Sequence, residues 1–243
     1  MPLIAEIQYR CGEVPPLNEI YINFILHKNC FDCGGIYRLC GLSAVRKFWN
    51  NLYIILDLRM VMLKVLRKQK MREHQIRVLI LGLDCSGKTT IMKRLEGEDY
   101  MEVAPTFGFN ISTLEFRQWK LNCWDIGGQS SLRSYWRNYF EHTDALVYVV
   151  DSTDVLRLKE ARQELDKLLN EQCLVGVTLL ILANKQDIAG SLTAEDIQRE
   201  MKLEEIKYHH WKIFDSSAYT GQNLIEAFQW MCEDVDQRIR LPD

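Results

Sequence analysis

Leu79-Ile80-Leu81-Gly82-Leu83-Asp84-Cys85-Ser86-Gly87-Lys88-Thr89 decides how the rest of this chain is read. Its first three residues close an apolar run that begins at Ile76, short enough for a buried strand. Residues 82–89 then fit the phosphate-loop pattern G-x-x-x-x-G-K-[ST]. The spacing has a physical reason. Glycines at both ends let the backbone curl, so that successive N–H groups of Asp84, Cys85, Ser86, Gly87, Lys88, Thr89 and Thr90 can face one polyphosphate. Lys88 is placed to neutralise β and γ oxygens, and the Thr89 hydroxyl to ligate Mg²⁺. A helix starting here adds its positive N-terminal end. The loop by itself predicts a nucleoside triphosphate and leaves the base open.

Outward from the loop, apolar runs at 76–81, 121–124, 145–150, 179–183 and 211–214 read as strands. Stretches near 88–96, 155–171, 193–201 and 222–239 read as helices. Strands alternating with helices predict an α/β domain over 76–240, with a mostly parallel sheet and helices on both faces. Ligands on such sheets bind at the carboxyl ends of the strands. Upstream, residues 60–75 read as a basic amphipathic helix. Val61, Met62, Val65 and Leu66 recur at helical spacing, and Lys64, Arg67, Lys68, Lys70 and Arg72 supply the charge. Such a helix either packs on its own domain or touches a membrane or partner reversibly. Residues 1–59 show little periodicity and are expected to be poorly ordered.

Two further strand ends narrow the base. Asn184-Lys185-Gln186-Asp187 leaves the 179–183 run, and Ser216-Ser217-Ala218 leaves the 211–214 run. An Asp187 carboxylate can accept two hydrogen bonds from guanine, from N1–H and from the 2-amino group. Adenine offers neither donor, so the carboxylate would be left unpaired at a cost. Lys185 is expected along the base and against the phosphate loop, and Asn184 between the loops. Ser217 is expected to support Asp187, and the 216–218 backbone to reach guanine O6. Asp125 at the end of the 121–124 run is a candidate to hold Mg²⁺ through water, and Thr106 a second hydroxyl ligand beside Thr89. Gly128 offers an unobstructed N–H to the γ-phosphate, and Gln129 is the candidate to orient the attacking water. Thr106 and Gly128 would both lose a partner when that phosphate leaves, which predicts a switch.

Residues 82–90, 105–110, 124–129, 184–187 and 216–218 together resemble the Arf and Arf-like branch of the Ras-type GTPases, over 60–240. The resemblance implies a Ras-like P-loop GTPase domain with a six-stranded, mostly parallel sheet. It implies a small monomeric GTPase that takes GTP/GDP and Mg²⁺, with Gln129 catalytic. It further implies an aromatic effector patch of Phe109, Trp124 and Tyr139. A hairpin over 111–124 would slide on GTP binding and eject the N-terminal amphipathic helix. Implied partners are effectors, an exchange factor and a GTPase-activating protein. Among subfamily effectors are a tubulin-folding cofactor and a carrier of prenylated proteins. The family's usual start aligns near Met60, so residues 1–59 are either a lineage-specific extension or upstream sequence included in the gene model. Asp84 stands where a bulky, charged side chain would crowd the γ-phosphate, which predicts slow unaided hydrolysis completed by an activator's arginine. Cys85-Ser86 departs from the Asn-Ala or Ala-Ala pair usual there; binding through the backbone should survive, and Cys85 is a candidate oxidisable thiol.

Composition sets limits. A net charge of −3 over 243 residues gives no overall pull toward nucleic acid. No uncharged apolar run is long enough to span a bilayer, and the eight cysteines are expected as reduced thiols in a cytoplasmic protein. Cys30, Cys33 and Cys40 suggest zinc only if His27 or Cys11 completes the set. Asn110-Ile111-Ser112 fits a glycosylation site, but in a switch loop it should stay bare. Lipidation is not expected, since Pro2 follows Met1, Val61 follows Met60 and the last four residues are Arg-Leu-Pro-Asp. The competing functions are a nucleotide-locked binding module with negligible GTPase activity, which Gln129 opposes, and a P-loop kinase or ATPase, which Asp187 opposes.

Overall fold

Strand β1 (Gln75–Leu81) shows why the domain has two cores. Ile76, Val78 and Ile80 enter one buried apolar cluster, while Leu79 and Leu81 enter the other. Successive side chains of a strand point to opposite faces, so a strand that is apolar throughout needs cover on both sides. β4 (Ala145–Asp151) and β5 (Thr178–Asn184) repeat the pattern. With β2 (Phe109–Phe116), β3 (Trp119–Ile126) and β6 (Trp211–Asp215) they form one six-stranded sheet, ordered β2-β3-β1-β4-β5-β6. Only β2 and β3 pair antiparallel. This computed structural model describes residues 74–101 and 103–240.

Helices cover both faces. α1 (Lys88–Glu96) and α4 (Leu224–Arg240) cover the first cluster through Ile91, Met92, Leu224, Phe228 and Met231. α2 (Leu158–Leu169) and α3 (Ala194–Glu200) cover the second through Leu158, Leu165 and Ile197, joined by Trp136 and Phe140. The expected six-stranded α/β architecture is therefore the one observed.

Boundaries differ for local reasons. Gln75 pairs with Lys120 in the β1–β3 ladder, so the last residue assigned to the 60–75 helix is strand. The rest of that helix up to Met71, Arg72 and Glu73, the 1–59 extension and the candidate zinc cysteines lie outside the described residues. β3 runs longer than expected, because its alternation of buried Trp119, Leu121 and Cys123 with Lys120, Asn122 and Trp124 breaks the apolar run. α2 starts at Leu158 because Asp154 caps a separate 3-10 turn, Val155–Arg157, accepting from the Arg157 N–H. No helix among the described residues is long and apolar enough to cross a membrane.

What matters for the site is polarity. β3, β1, β4, β5 and β6 run parallel, so Ile126, Leu81, Asp151, Asn184 and Asp215 all end on one edge. Every sequence-predicted loop leaves that edge.

Candidate functional site

The phosphate loop is built tightly against its neighbours. Gly87 sits at φ +92°, and a Cβ there would lie 2.4 Å from Asn184 Nδ2. Only glycine fits both the conformation and the space. Asn184 Nδ2 donates to the Ser86 carbonyl at 2.8 Å, and its Oδ1 accepts from the Ala218 N–H at 2.9 Å. One buried side chain thus joins three loops. Lys88 is buried at the centre and donates to the carbonyls of Gly82 and Leu83 at 3.1 and 2.8 Å. Burial lowers its ammonium to about 8, against the opposing pull of Asp125 and Asp84. A buried cation whose hydrogen bonds go to carbonyls, with carboxylates only nearby, is suited to an anionic ligand. Buried Ser86 donates its hydroxyl to the Leu83 carbonyl at 2.9 Å, while Cys85 is exposed at φ +61°. Thr90, half-buried, lies in the first turn of α1.

Beside it, three oxygen-bearing side chains meet. The Thr89 hydroxyl donates to Asp125 Oδ2 at 2.6 Å and lies 2.8 Å from the Thr106 hydroxyl. Asp125 is almost wholly buried, and burial raises its carboxyl in spite of the bond from Thr89 and the charge of Lys88. Its second oxygen, Oδ1, is buried with no hydrogen-bond partner. Hard oxygen donors, one of them an unsatisfied buried carboxylate oxygen, fit Mg²⁺, which takes one or two carboxylates and hydroxyls alongside phosphate.

Gly128 rests on the loop itself. A Cβ there would meet Gly82 O at 2.4 Å and the backbone of Leu83 and Asp84 at 2.5 and 2.6 Å. Its predecessor Gly127 donates to the Gly108 carbonyl at 2.9 Å, which ties this segment to the one carrying Thr106. Gln129 follows, half-buried.

On the base side, Ser217 donates to Asp187 Oδ1 at 2.5 Å, as expected for a support of that carboxylate. Lys185 departs from one half of its expectation, the brace to the phosphate loop. Its ammonium donates to Asp151 Oδ2 at 2.5 Å, at the end of β4, and the brace to the phosphate loop comes from Asn184. Burial would raise the Asp151 carboxyl, yet the bonds from Lys185 and Thr153 hold it below the ordinary carboxylate value. Asp151 went unnoticed in the sequence; its signal is its register opposite Asn184 in the β4–β5 ladder.

Asp84 also behaves differently. Its carboxylate pairs with Arg133 at 3.3 Å and Arg157 at 3.1 Å, so two guanidinium groups compensate the charge expected to crowd a phosphate. The aromatic residues do come together, Phe109 on Trp124 at 5.8 Å between centroids, Phe109 on Tyr139 at 5.2 Å and Trp124 on Tyr139 at 5.8 Å. Arg77 lies 4.1 Å over the Trp124 ring.

The model of the Arf, or ADP-ribosylation factor, family matches residues 62–235. The chain belongs to that family. ADP-ribosylation factor-like protein 2 of Arabidopsis thaliana is 52% identical over 185 residues, 76% of this chain and 100% of the relative. The protein of the same name from Drosophila melanogaster is 52% identical over 177 residues, 73% of this chain and 96% of the relative. ADP-ribosylation factor-like protein 3 of Chlamydomonas reinhardtii is 48% identical over 176 residues, 72% and 99%. Among solved structures, the Arl6 BBS3 small GTPase of Trypanosoma brucei, bound to the nucleotide analogue GppNp, matches with a TM-score of 0.63 and 31% identity, covering 67% of this chain and 98% of that one. Family members are small GTPases that bind GTP and GDP with Mg²⁺ and hydrolyse GTP. This chain is accordingly a GTP-binding switch, and a kinase or ATPase reading falls away.

Proposed function

We propose that the chain is a slow, Arf-like timer in which the two segments touching the phosphate loop report whether GTP or GDP is bound. The observation that carries the reading is that Thr106 and Gly128, distant in sequence, both converge on the phosphate loop, one through the Thr89 hydroxyl and one through direct backbone packing. Lys88 and the 84–90 backbone hold the phosphates. Asp187, backed by Ser217, selects guanine; Asn184 and Ala218 fix its loop, and Lys185 lies along the base. Thr89, Thr106 and Asp125 would hold Mg²⁺, which would supply charge neutralisation at the phosphate oxygens. Gln129 orients the water.

Slow turnover is supported by charge. Arg133 and Arg157, the arginines beside the loop, are both engaged by Asp84, which leaves Lys88 as the cation committed to phosphate. An activating protein supplies the missing arginine. In the GTP state Phe109, Trp124 and Tyr139 present an apolar patch to effectors, and the family resemblance points to a tubulin-folding cofactor and a prenyl-protein carrier. Among the described residues Cys85, Cys123, Cys173 and Cys232 are free thiols. The test is multiple-turnover phosphate release from GTP, alone and with an Arf-type activating protein. Slow release that the activator accelerates is expected. No release under either condition would instead make the chain a nucleotide-locked module.

A further inference from the structure

Three consecutive carbonyls, those of Gly127, Gly128 and Gln129, are each taken by a donor from one short stretch downstream. The Trp136 indole Nε1–H donates to Gly127 O at 3.0 Å. The Arg133 Nε–H donates to Gly128 O at 2.8 Å, and the Leu132 N–H to Gln129 O at 2.8 Å. A peptide group is planar and trans, so the carbonyl of one residue and the N–H of the next are rigidly opposed. Fixing Gly127 O therefore fixes where the Gly128 N–H points, and fixing Gly128 O does the same for Gln129.

This matters because the segment cannot orient itself. Two adjacent glycines have the least conformational preference of any pair, so the direction of the peptide between them must be imposed from outside. Both side-chain donors are firmly based. Trp136 is 2% exposed and packs in the α2-side core with Leu81, Leu83 and Ile126. The Arg133 side chain is 8% exposed and is gripped by Glu160 at 2.6 Å, Glu164 at 3.6 Å and Asp84 at 3.3 Å. Its anchor thus spans α2 and the phosphate loop, elements that do not belong to the moving segment. Arg133 and Trp136 sit in the 3-10 helix Arg133–Tyr139, whose tight turn places residues three apart on one side, facing back toward 127–129.

We propose that Trp136 and Arg133 are the positioning residues of the γ-phosphate sensor: through these two bonds they aim the Gly128 and Gln129 N–H groups at the third phosphate. The inference rests on the reading of Gly128 given above. A donor that only packs the core would support GDP and GTP states alike. A donor that aims an N–H at the third phosphate supports GTP alone.

The experiment measures equilibrium affinities of the full chain with Mg²⁺ for GDP and for a GTP analogue with a non-hydrolysable β–γ bridge. Trp136→Phe keeps the ring's bulk and removes the donor; Arg133→Lys keeps the charge and removes the Nε–H. Each variant should bind the GTP analogue about three- to tenfold more weakly, the range that loss of one hydrogen bond produces, with GDP affinity within about twofold of wild type. Equal weakening of both nucleotides, or an unchanged ratio in both variants, would overturn the proposal. A wild-type chain that binds neither nucleotide would sink the switch reading itself, whereas a discriminating wild type beside unaltered variants sinks only the role of these two residues.

Discussion

The guanine and phosphate frame and the switch segment around Thr106 meet on the same sheet edge, yet they are held in opposite ways. In the frame, Ser86, Asn184, Ser216 and Ser217 are polar residues with at most 1% of their surface exposed. Their bonds join strand ends far apart in sequence, as Asn184 joins Ser86 and Ala218. Around Thr106 the chain is open: Phe107 is 79% exposed and Phe109 45%. Ahead of β2, among the described residues, that segment is tied down by a hydroxyl pair and a backbone bond from Gly127. Buried hydrogen bonds are expensive to unmake, because the freed groups find no water. Exposed ones exchange with water at small net cost. The frame should therefore persist through the nucleotide cycle, while a single phosphate suffices to shift the Thr106 segment.

The largest break in this contrast should come from the frame. Asn184→Ala leaves the Ser86 carbonyl and the Ala218 N–H buried and unpaired, costing about 4 kcal/mol at roughly 2 kcal/mol per group. Thermal unfolding of the GDP-loaded protein should shift down accordingly, and GDP and GTP affinities should fall together. If only GTP affinity fell, Asn184 would belong to the switch and the division proposed here would be wrong.

Gly128→Ala attacks the other side. The added Cβ would lie 2.4 Å from Gly82 O and 2.5 Å from Leu83 C, both backbone atoms that have no rotamer to retreat into. The 127–129 segment must then lift away from the phosphate loop. Displacing the water-orienting residue by an ångström is expected to cost on the order of a hundredfold in single-turnover GTP hydrolysis, with a much smaller loss in GDP affinity. Hydrolysis at the wild-type rate would mean that the segment need not close on the loop at all.

The same division explains what could be read from residues alone. The phosphate loop, Asn184 and the Ser217–Asp187 pair are legible because each sits where a strand ends, and short motifs there admit few residue types. The apolar strands were legible because both their faces are buried. Other features depend on partners that come together only in the fold. Asp84 read as a charge crowding phosphate because Arg133 and Arg157 lie 49 and 73 residues away. Lys185 reads as touching both base and phosphate loop because nothing local marks Asp151, 34 residues upstream, as its partner. β2 is a half-exposed edge strand with burial only at Leu114 and Phe116, so no apolar run announces it. The segment with Arg133 and Trp136 folds as a 3-10 helix, whose period matches neither pattern sought.

Two buried thiols give the finest test of whether frame and switch open separately. Cys123 lies in β3, two residues before Asp125 and four before Gly127, whereas Cys232 lies in α4, across the same buried cluster. Burial pushes both thiols up to about 12, from an ordinary value of 9.0. A thiol raised by folding stays neutral in the native state while the unfolded chain ionises, so both should cost stability as pH rises from 9 towards 12. Below pH 9 each reacts only when its element opens, since the thiolate is the nucleophile and needs access. Iodoacetamide at pH 8, followed at the level of individual peptides by mass spectrometry, should modify exposed Cys85 and Cys173 first among the described cysteines. After Mg²⁺ and nucleotide are stripped, Cys123 should label on the order of tenfold faster than Cys232, the ratio that about 1.4 kcal/mol of difference in opening energy produces. Reloading with GTP should slow Cys123 and leave Cys232 where it was. Equal protection of the two thiols in every state would show the switch-bearing strand opening only together with the frame, and the switches would then be confined to the loops beyond Ile126 and before Phe109.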